Sequence, residues 1–193
     1  ANIIPSPMNQ RAYGDNWVAQ SAHDCLDAFA TDRPWFLQVN FPGPHDPLDA
    51  PAWTLDKRAG ESYPPAIANS RSASEQMQAM RRSFSAMCQY IDALIGDLLD
   101  HIAKRGEFDN TLVVFSSDHG EMLGDYDRWA KATWHEASIR VPLVIAGPGI
   151  RQGVSDALIQ LEDMAATFLE MGEATPLATS AQSFAAVLRD PAR

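Results

Sequence analysis

The chain has 193 residues, 46% of them hydrophobic, which is enough to bury a sizeable core and suggests one domain. Its formal net charge of −10, with no cluster or stripe of Lys and Arg, argues against nucleic acid as a partner. An acidic protein gives anions no long-range steering, so chemistry on an anion would need a local cation.

The opening ANIIPSPMNQ is neither a signal peptide nor a basic presequence, and no 18-residue apolar run occurs, so no membrane contact is expected. Across Asp15–Ala30, Val18, Ala22, Leu26 and Phe29 share one face, which predicts a helix capped by Asp15 and stopped by Pro34. Trp35–Phe41 (WFLQVNF) reads as a strand, followed by PGPHDP and a Pro-rich surface excursion to Asn69. Ser72 and Glu75 have the spacing of a capping box for a long helix. Its core positions are Met77, Met80, Phe84, Met87, Ile91, Leu94, Leu98 and Ile102, with the methionines as packing residues rather than a metal stripe. Gly106 ends that helix.

Thr111–Ser117 is short, β-branched and apolar, the pattern of a strand covered on both faces of a parallel sheet. Val141–Ala146 is another apolar strand, closed by Gly147-Pro148-Gly149. A short strand near Leu158–Leu161 leads into a helix through Met164, Phe168 and Leu169 that stops at Gly172, and Phe184, Val187 and Leu188 suggest a last amphipathic turn. Cys25 and Cys88 sit in helix-like segments without CxxC spacing and read as small core residues. The alternation predicts a βαβ-type α/β sheet covered by helices.

Asp118, His119 and Gly120 fall just past the carboxyl end of the Thr111 strand, the rim where open α/β sheets bind ligands. A carboxylate beside an imidazole there reads as half of a metal site, and an N-capping Asp beside a solvated His reads equally well. His45, in PGPHDP, also follows an apolar strand, in a loop stiffened by Pro42, Pro44 and Pro47. Lys131, in DRWAKATWHE, can reach the same rim as a point charge for an anionic oxyester, or stand as a solvated loop lysine. His23, His101 and His135 lack such placement and read as surface or packing residues.

The block DNTLVVFSSDHGEMLGDYDRWAKATWHEASIRVPLVIAGPGI (Asp109–Ile150) resembles the sulfatase family of the alkaline-phosphatase superfamily, through its spacing of strand, Asp-His-Gly, Trp-x-Lys and Arg-Val-Pro-Leu. WFLQVNFPGPHDP resembles that family's strand and Pro-His-x-Pro, and CQYIDALIGDLLDHI and LEDMAATFLEMG resemble the helices before and after its metal strand. The resemblance implies an alkaline-phosphatase-like, mostly parallel sheet covered by helices, incomplete in this chain, with 1–193 forming part of a catalytic domain. It implies Asp118 and His119 as the second pair of metal ligands, with His119 where many sulfatases carry Asn. It also implies His45 as the group that touches the sulfate and helps protonate the leaving oxygen, and Lys131 as the lysine that binds the sulfate. Ala130 replaces the more usual Gly before that lysine. The implied cofactors are a divalent cation, Ca²⁺ ahead of Mn²⁺ or Mg²⁺, and a formylglycine nucleophile; the implied substrate is a small-molecule or sugar sulfate ester. The chemistry agrees, because a sulfate ester needs its leaving oxygen protonated and its other oxygens neutralised by metal and Lys. A phosphonate monoester or phosphodiester hydrolase of the same superfamily is the alternative that His119 leaves open, and a non-catalytic sulfatase-like domain is the third.

The family's Asp-Asp metal pair and its Cys/Ser-x-Pro-x-Arg nucleophile motif do not occur in these residues, where Cys25 leads into Leu-Asp-Ala-Phe and Cys88 into Gln-Tyr-Ile-Asp. The expectation is a partial catalytic domain, also lacking the family's small C-terminal domain and inactive by itself. An incomplete sheet would expose an edge, which predicts a second chain or self-association there.

Overall fold

The computed structural model describes residues 5–68, 74–176 and 178–192. These fall into two compact units, Ala1–Phe108 with Glu121–Ile139, and Asp109–Gly120 with Arg140–Arg193. The first unit is helical, with α1 (Gly14–Ala28), α2 (Ala52–Lys57), α3 (Glu75–Lys104) and α4 (Glu136–Ile139). The expected stripe on α3 forms. Met77, Met87, Ile91, Leu94, Leu98 and Ile102 are buried with Ser83, Ala86 and Tyr90, whereas Met80 and Phe84 remain half-buried. Ser74 caps the helix by accepting the Met77 N–H at 3.3 Å, and the expected cap at Ser72 lies outside the described residues. At the other end the N–H of Gly106 (φ 74°) closes on the Ala103 carbonyl at 2.9 Å.

Against this stripe α1 lays Ala19, Ala22 and Leu26, small residues first, so the backbones approach closely. Burying a leucine such as Leu26 contributes about 1.5–3 kcal/mol. Polar groups then lock the helix ends together. Arg105 pairs with Glu107 at 2.7 Å and donates to the Leu26 carbonyl, and to that of Phe29 at 3.2 Å. Asp15 does not cap α1, as its side chain makes no cap bond; it lies inside the first turn and is buried.

The segment Trp35–Phe41 has a strand's alternation without a strand's ladder. Trp35, Leu37, Val39 and Phe41 pack on the Leu26–Leu98–Ile102 cluster while Phe36, Gln38 and Asn40 face outward. The expected strand is corrected to extended chain whose one face is held by helices. Both cysteines are exposed, correcting their reading as core residues.

Residues 121–131 form a strained loop in the same unit. Leu123, Tyr126, Asp127 and Ala130 all have positive φ, and Ala132 follows at 71°. The loop closes through Met122 N–H to the Ala130 carbonyl at 3.0 Å and Gly124 N–H to that of Arg128 at 2.9 Å. Arg81 of α3 anchors it, pairing with Asp125 at 2.8 Å and donating to the Leu123 carbonyl.

In the second unit β1 (Val113–Ser116) and β2 (Leu143–Ala146) pair, followed by α5 (Asp163–Met171) and α6 (Ala185–Arg189). The pair is antiparallel, with Val113 opposite Ala146 and Ser116 opposite Leu143. Phe115 and Val144 are exposed opposite one another, so the Thr111 strand is not covered on both faces among the described residues. Leu158–Leu161 makes no strand, and Leu158 is fully exposed. Gly172 caps α5 and the last amphipathic turn is α6, as the sequence pattern predicts. Among the described residues no helix is long and apolar enough to cross a membrane.

Asp163 joins the pieces of this unit. Its two carboxylate oxygens accept the N–H groups of Gln160 (2.9 Å) and Gln182 (2.8 Å), while the Thr167 hydroxyl donates to its carbonyl and accepts the Phe184 N–H.

Two outcomes follow from these contacts. Ala130 (φ 59°) occupies a conformation that glycine adopts freely, so Ala130→Gly should raise stability by about 1 kcal/mol, read from the denaturant midpoint at constant slope. The N–H groups of Gln182 and Gln160 hold the Asp163 carboxyl below its usual 3.8. A lowered folded-state pKa contributes stability above the unfolded value and loses it as pH falls through the folded one. The melting temperature of Asp163→Asn should therefore be lower than that of the native protein at neutral pH, with the gap closing below about pH 4.

Candidate active site

Two of the four residues singled out by sequence meet in the first unit. Lys131 Nζ lies 2.9 Å from His45 Nε2, although 86 residues separate them. His45 Nδ1 lies 3.0 Å from the Asp46 carbonyl, and a carbonyl only accepts, so Nδ1 carries the proton and Nε2 presents its lone pair to the lysine ammonium. His45 is exposed and Lys131 half-buried. The result is an open patch where a cationic donor and an imidazole nitrogen share one proton line.

The loop bearing His45 is fixed from below. Asp15, 2% exposed, accepts the Gly43 N–H at 2.9 Å. Gly43 has no room for a side chain, since an added Cβ would stand 2.7 Å from Asp15 Oδ2 and 3.1 Å from Ile91 Cδ1. Burial pushes the Asp15 carboxyl up, with the Gly43 N–H opposing and Asp49 adding to the shift. Burial, then Asp49 and Asp15, likewise push up the Tyr13 phenol. A cavity of about 260 Å³ opens here, lined by Tyr13, Asp15, Gly43, His45, Asp49 and Met87 among others. Sequence reasoning placed Asp15 at a helix cap and missed this role, because nothing in the spacing links it to Gly43.

The other two residues meet in the second unit, just past β1. Asp118 Oδ1 accepts the His119 N–H at 2.9 Å, and the Ser117 hydroxyl donates to the His119 carbonyl at 2.8 Å, which closes a tight turn. His119 Nδ1 lies 2.8 Å from the Gly120 carbonyl, so it carries the proton and leaves Nε2 as a free lone pair. That Nε2 faces Asp118 Oδ2 at 3.6 Å, with the carboxylate 83% exposed. The gap is too long for a hydrogen bond and suits two ligand atoms at neighbouring corners of one ion with bonds of about 2.1–2.5 Å. This donor set fits a divalent cation. Among the described residues no group of three or more His, Cys, Asp or Glu side chains is placed to hold a metal.

The remaining histidines partner other groups. His101 Nε2 lies 2.9 Å from Asp27 and must donate to it, so its Nδ1 accepts from His23 Nδ1 at 2.7 Å across the α1–α3 contact. His135 stacks on Tyr126 at 4.3 Å.

Comparison with known proteins bears on the family of the chain. The sulfatase family model matches residues 4–174. The chain is 34% identical to the choline-sulfatase of Rhizobium meliloti over 84% of this chain and 38% of that protein. It is 29% identical to an arylsulfatase of Clostridium perfringens over 86% of this chain and 40% of that protein. Its fold is similar to that of the phosphonate monoester hydrolase from Silicibacter pomeroyi, with a TM-score of 0.86 at 24% identity over 98% of this chain and 44% of that one. The chain thus spans about two fifths of the length of the curated relatives it matches. The match to the family model over most of the chain and the identity to choline-sulfatase show that this chain belongs to the sulfatase family.

Proposed function

We propose that the protein carrying this chain is a sulfuric ester hydrolase that cleaves a sulfate monoester, with His45 and Lys131 as catalytic residues and Asp118 and His119 as metal ligands. The observation that carries this reading is the 2.9 Å line from Lys131 Nζ to His45 Nε2, with the imidazole tautomer fixed by the Asp46 carbonyl. In hydrolysis the bridging oxygen leaves as an alkoxide or phenoxide and must gain a proton, while charge on the other sulfate oxygens must be met by cations. Lys131 supplies a point charge to those oxygens. His45 Nε2, facing the same space, takes up a proton from solvent and passes it to the leaving oxygen, while Lys131 keeps its own proton and its charge. Asp15 keeps the imidazole in place through Gly43, so that little ordering remains for the moment of reaction.

A divalent cation bound at Asp118 and His119 would polarise an ester oxygen as a Lewis acid. Imidazole nitrogen with carboxylate oxygen suits Mn²⁺ at least as well as Ca²⁺, which prefers oxygen alone. The substrate is a small-molecule or sugar sulfate ester; choline sulfate and aryl sulfates are the first to try, from the names of the relatives. His119 keeps a phosphonate monoester in contention, and the ratio of aryl sulfate to aryl phosphonate turnover decides between them.

In the intact protein, Lys131→Ala and His45→Ala should each lower kcat/KM for an aryl sulfate by about 10²–10⁴ with the fold retained by circular dichroism. Values within threefold of the native protein would remove both residues from catalysis. Exhaustive chelation should abolish turnover and added Mn²⁺ or Ca²⁺ should restore it, while Asp118→Ala should not recover at the same metal concentration. Activity that survives chelation would sink the metal assignment.

A further inference from the structure

We propose that Glu121 is a positioning residue for Lys131, acting through the main chain of the strained loop and touching neither substrate nor metal. The proposal rests on the reading of Lys131 as the group that binds sulfate. Three observations carry it. First, Lys131 is bracketed by two left-handed alanines, Ala130 at φ 59° and Ala132 at φ 71°. L-residues rarely hold that conformation, and it persists only where surrounding contacts enforce it. Second, the enforcing contact at Ala130 is a side chain: Glu121 Oε1 accepts the Ala130 N–H at 2.5 Å and the Leu123 N–H at 3.3 Å. One carboxylate oxygen therefore ties the beginning of the loop to the residue immediately before the lysine. Third, the loop's other side-chain anchors lie elsewhere. Arg81 grips Leu123 and Asp125, and the Ile67 N–H and carbonyl meet Asp125 and Tyr126, so these fix the loop's middle.

The physical consequence is specific. A peptide plane that rotates at Ala130 swings the Lys131 Cα–Cβ bond, and the ammonium, at the end of four methylenes, moves furthest. The backbone bond from Met122 to the Ala130 carbonyl constrains the far side of Ala130, whereas Glu121 constrains its N–H. With the carboxylate gone, φ of Ala130 is free to relax towards negative values, and the 2.9 Å line to His45 Nε2 is lost although every residue of the patch is still present. Glu121 follows the Asp-His-Gly turn directly in sequence, so its acidity invites assignment as a further metal ligand. Its bonds to two main-chain N–H groups give it different work.

The test uses the intact protein, inorganic sulfate as the probe, and two readouts: sulfate affinity by calorimetry and the ¹⁵N shift of His45 Nε2. Lys131→Ala should weaken sulfate about tenfold or more and move the Nε2 signal, because a charge-assisted hydrogen bond is removed from each. Glu121→Ala should reproduce both changes. Glu121→Gln, whose amide oxygen still accepts both N–H groups, should keep both native values. The double variant Glu121→Ala with Lys131→Ala should be no weaker than Lys131→Ala alone, since residues acting through one contact do not add. Should Glu121→Ala fail to fold, Glu121→Asp, one methylene short of Ala130, takes its place with the same expectation. A native Nε2 signal and native affinity in Glu121→Ala, or a loss that adds to that of Lys131→Ala, would overturn the proposal. If Lys131→Ala leaves sulfate binding untouched, the sulfate role of Lys131 falls. The positioning role is then decided by whether Glu121→Ala shifts the Nε2 signal as Lys131→Ala does.

Discussion

The first unit depends on one face of α3. Its apolar stripe is the surface on which α1 and the extended Trp35–Phe41 segment both settle, and each of these elements feeds the candidate site. Leu98 and Ile102 anchor the extended segment that leads into the His45 loop, and Ile91 sits 3.1 Å from where a side chain at Gly43 would begin. Arg81, near the start of the same helix, reaches across to the loop that presents Lys131. Two residues 86 apart in sequence thus meet because both loops are referenced to a single rigid rod.

Three carboxylates act here on main chain. Asp15 holds Gly43, Glu121 holds Ala130 and Leu123, and Asp163 holds Gln160 and Gln182, each through N–H groups that no helix or ladder satisfies. Loops with few internal bonds carry unpaired donors, and an ionised or buried carboxylate is a strong acceptor for them. The formal charge of −10 is therefore only partly a surface property. Some of it serves as internal bracing, and two of the braces hold main chain within two residues of His45 or Lys131.

His45 in the first unit and His119 in the second share one device. Each gives its Nδ1 proton to a carbonyl within one residue, His45 to Asp46 and His119 to Gly120, and each is thereby left with an Nε2 lone pair facing outward. For His45 that lone pair meets an ammonium, and for His119 it faces a carboxylate at 3.6 Å. Local carbonyls choose the tautomer, and the neighbour across the gap then sets the electrostatics: an ammonium in one case, a carboxylate in the other.

Periodicity and local rules made the helices legible. The α3 stripe, its end at Gly106, the stop of α5 at Gly172 and the last turn at α6 all follow from side chains within a few positions of one another. The motif spacing likewise carried the family, and it singled out His45, Asp118, His119 and Lys131 as candidates. What could not be read locally were pairings that depend on distant chain. WFLQVNF has a strand's alternation, yet a strand exists only when another supplies its ladder, and here helices supply the packing instead. Val113–Ser116 was legible as a strand, but its antiparallel partner and exposed Phe115 were not, since strand direction and cover are properties of the neighbour. Asp15 resembled a cap and became a brace, and Glu121 gave no signal of its own. Sequence determined which segments form helices and to which family the chain belongs. The tertiary structure alone decided which carboxylate meets which N–H, because that choice is made by contacts between residues far apart along the chain.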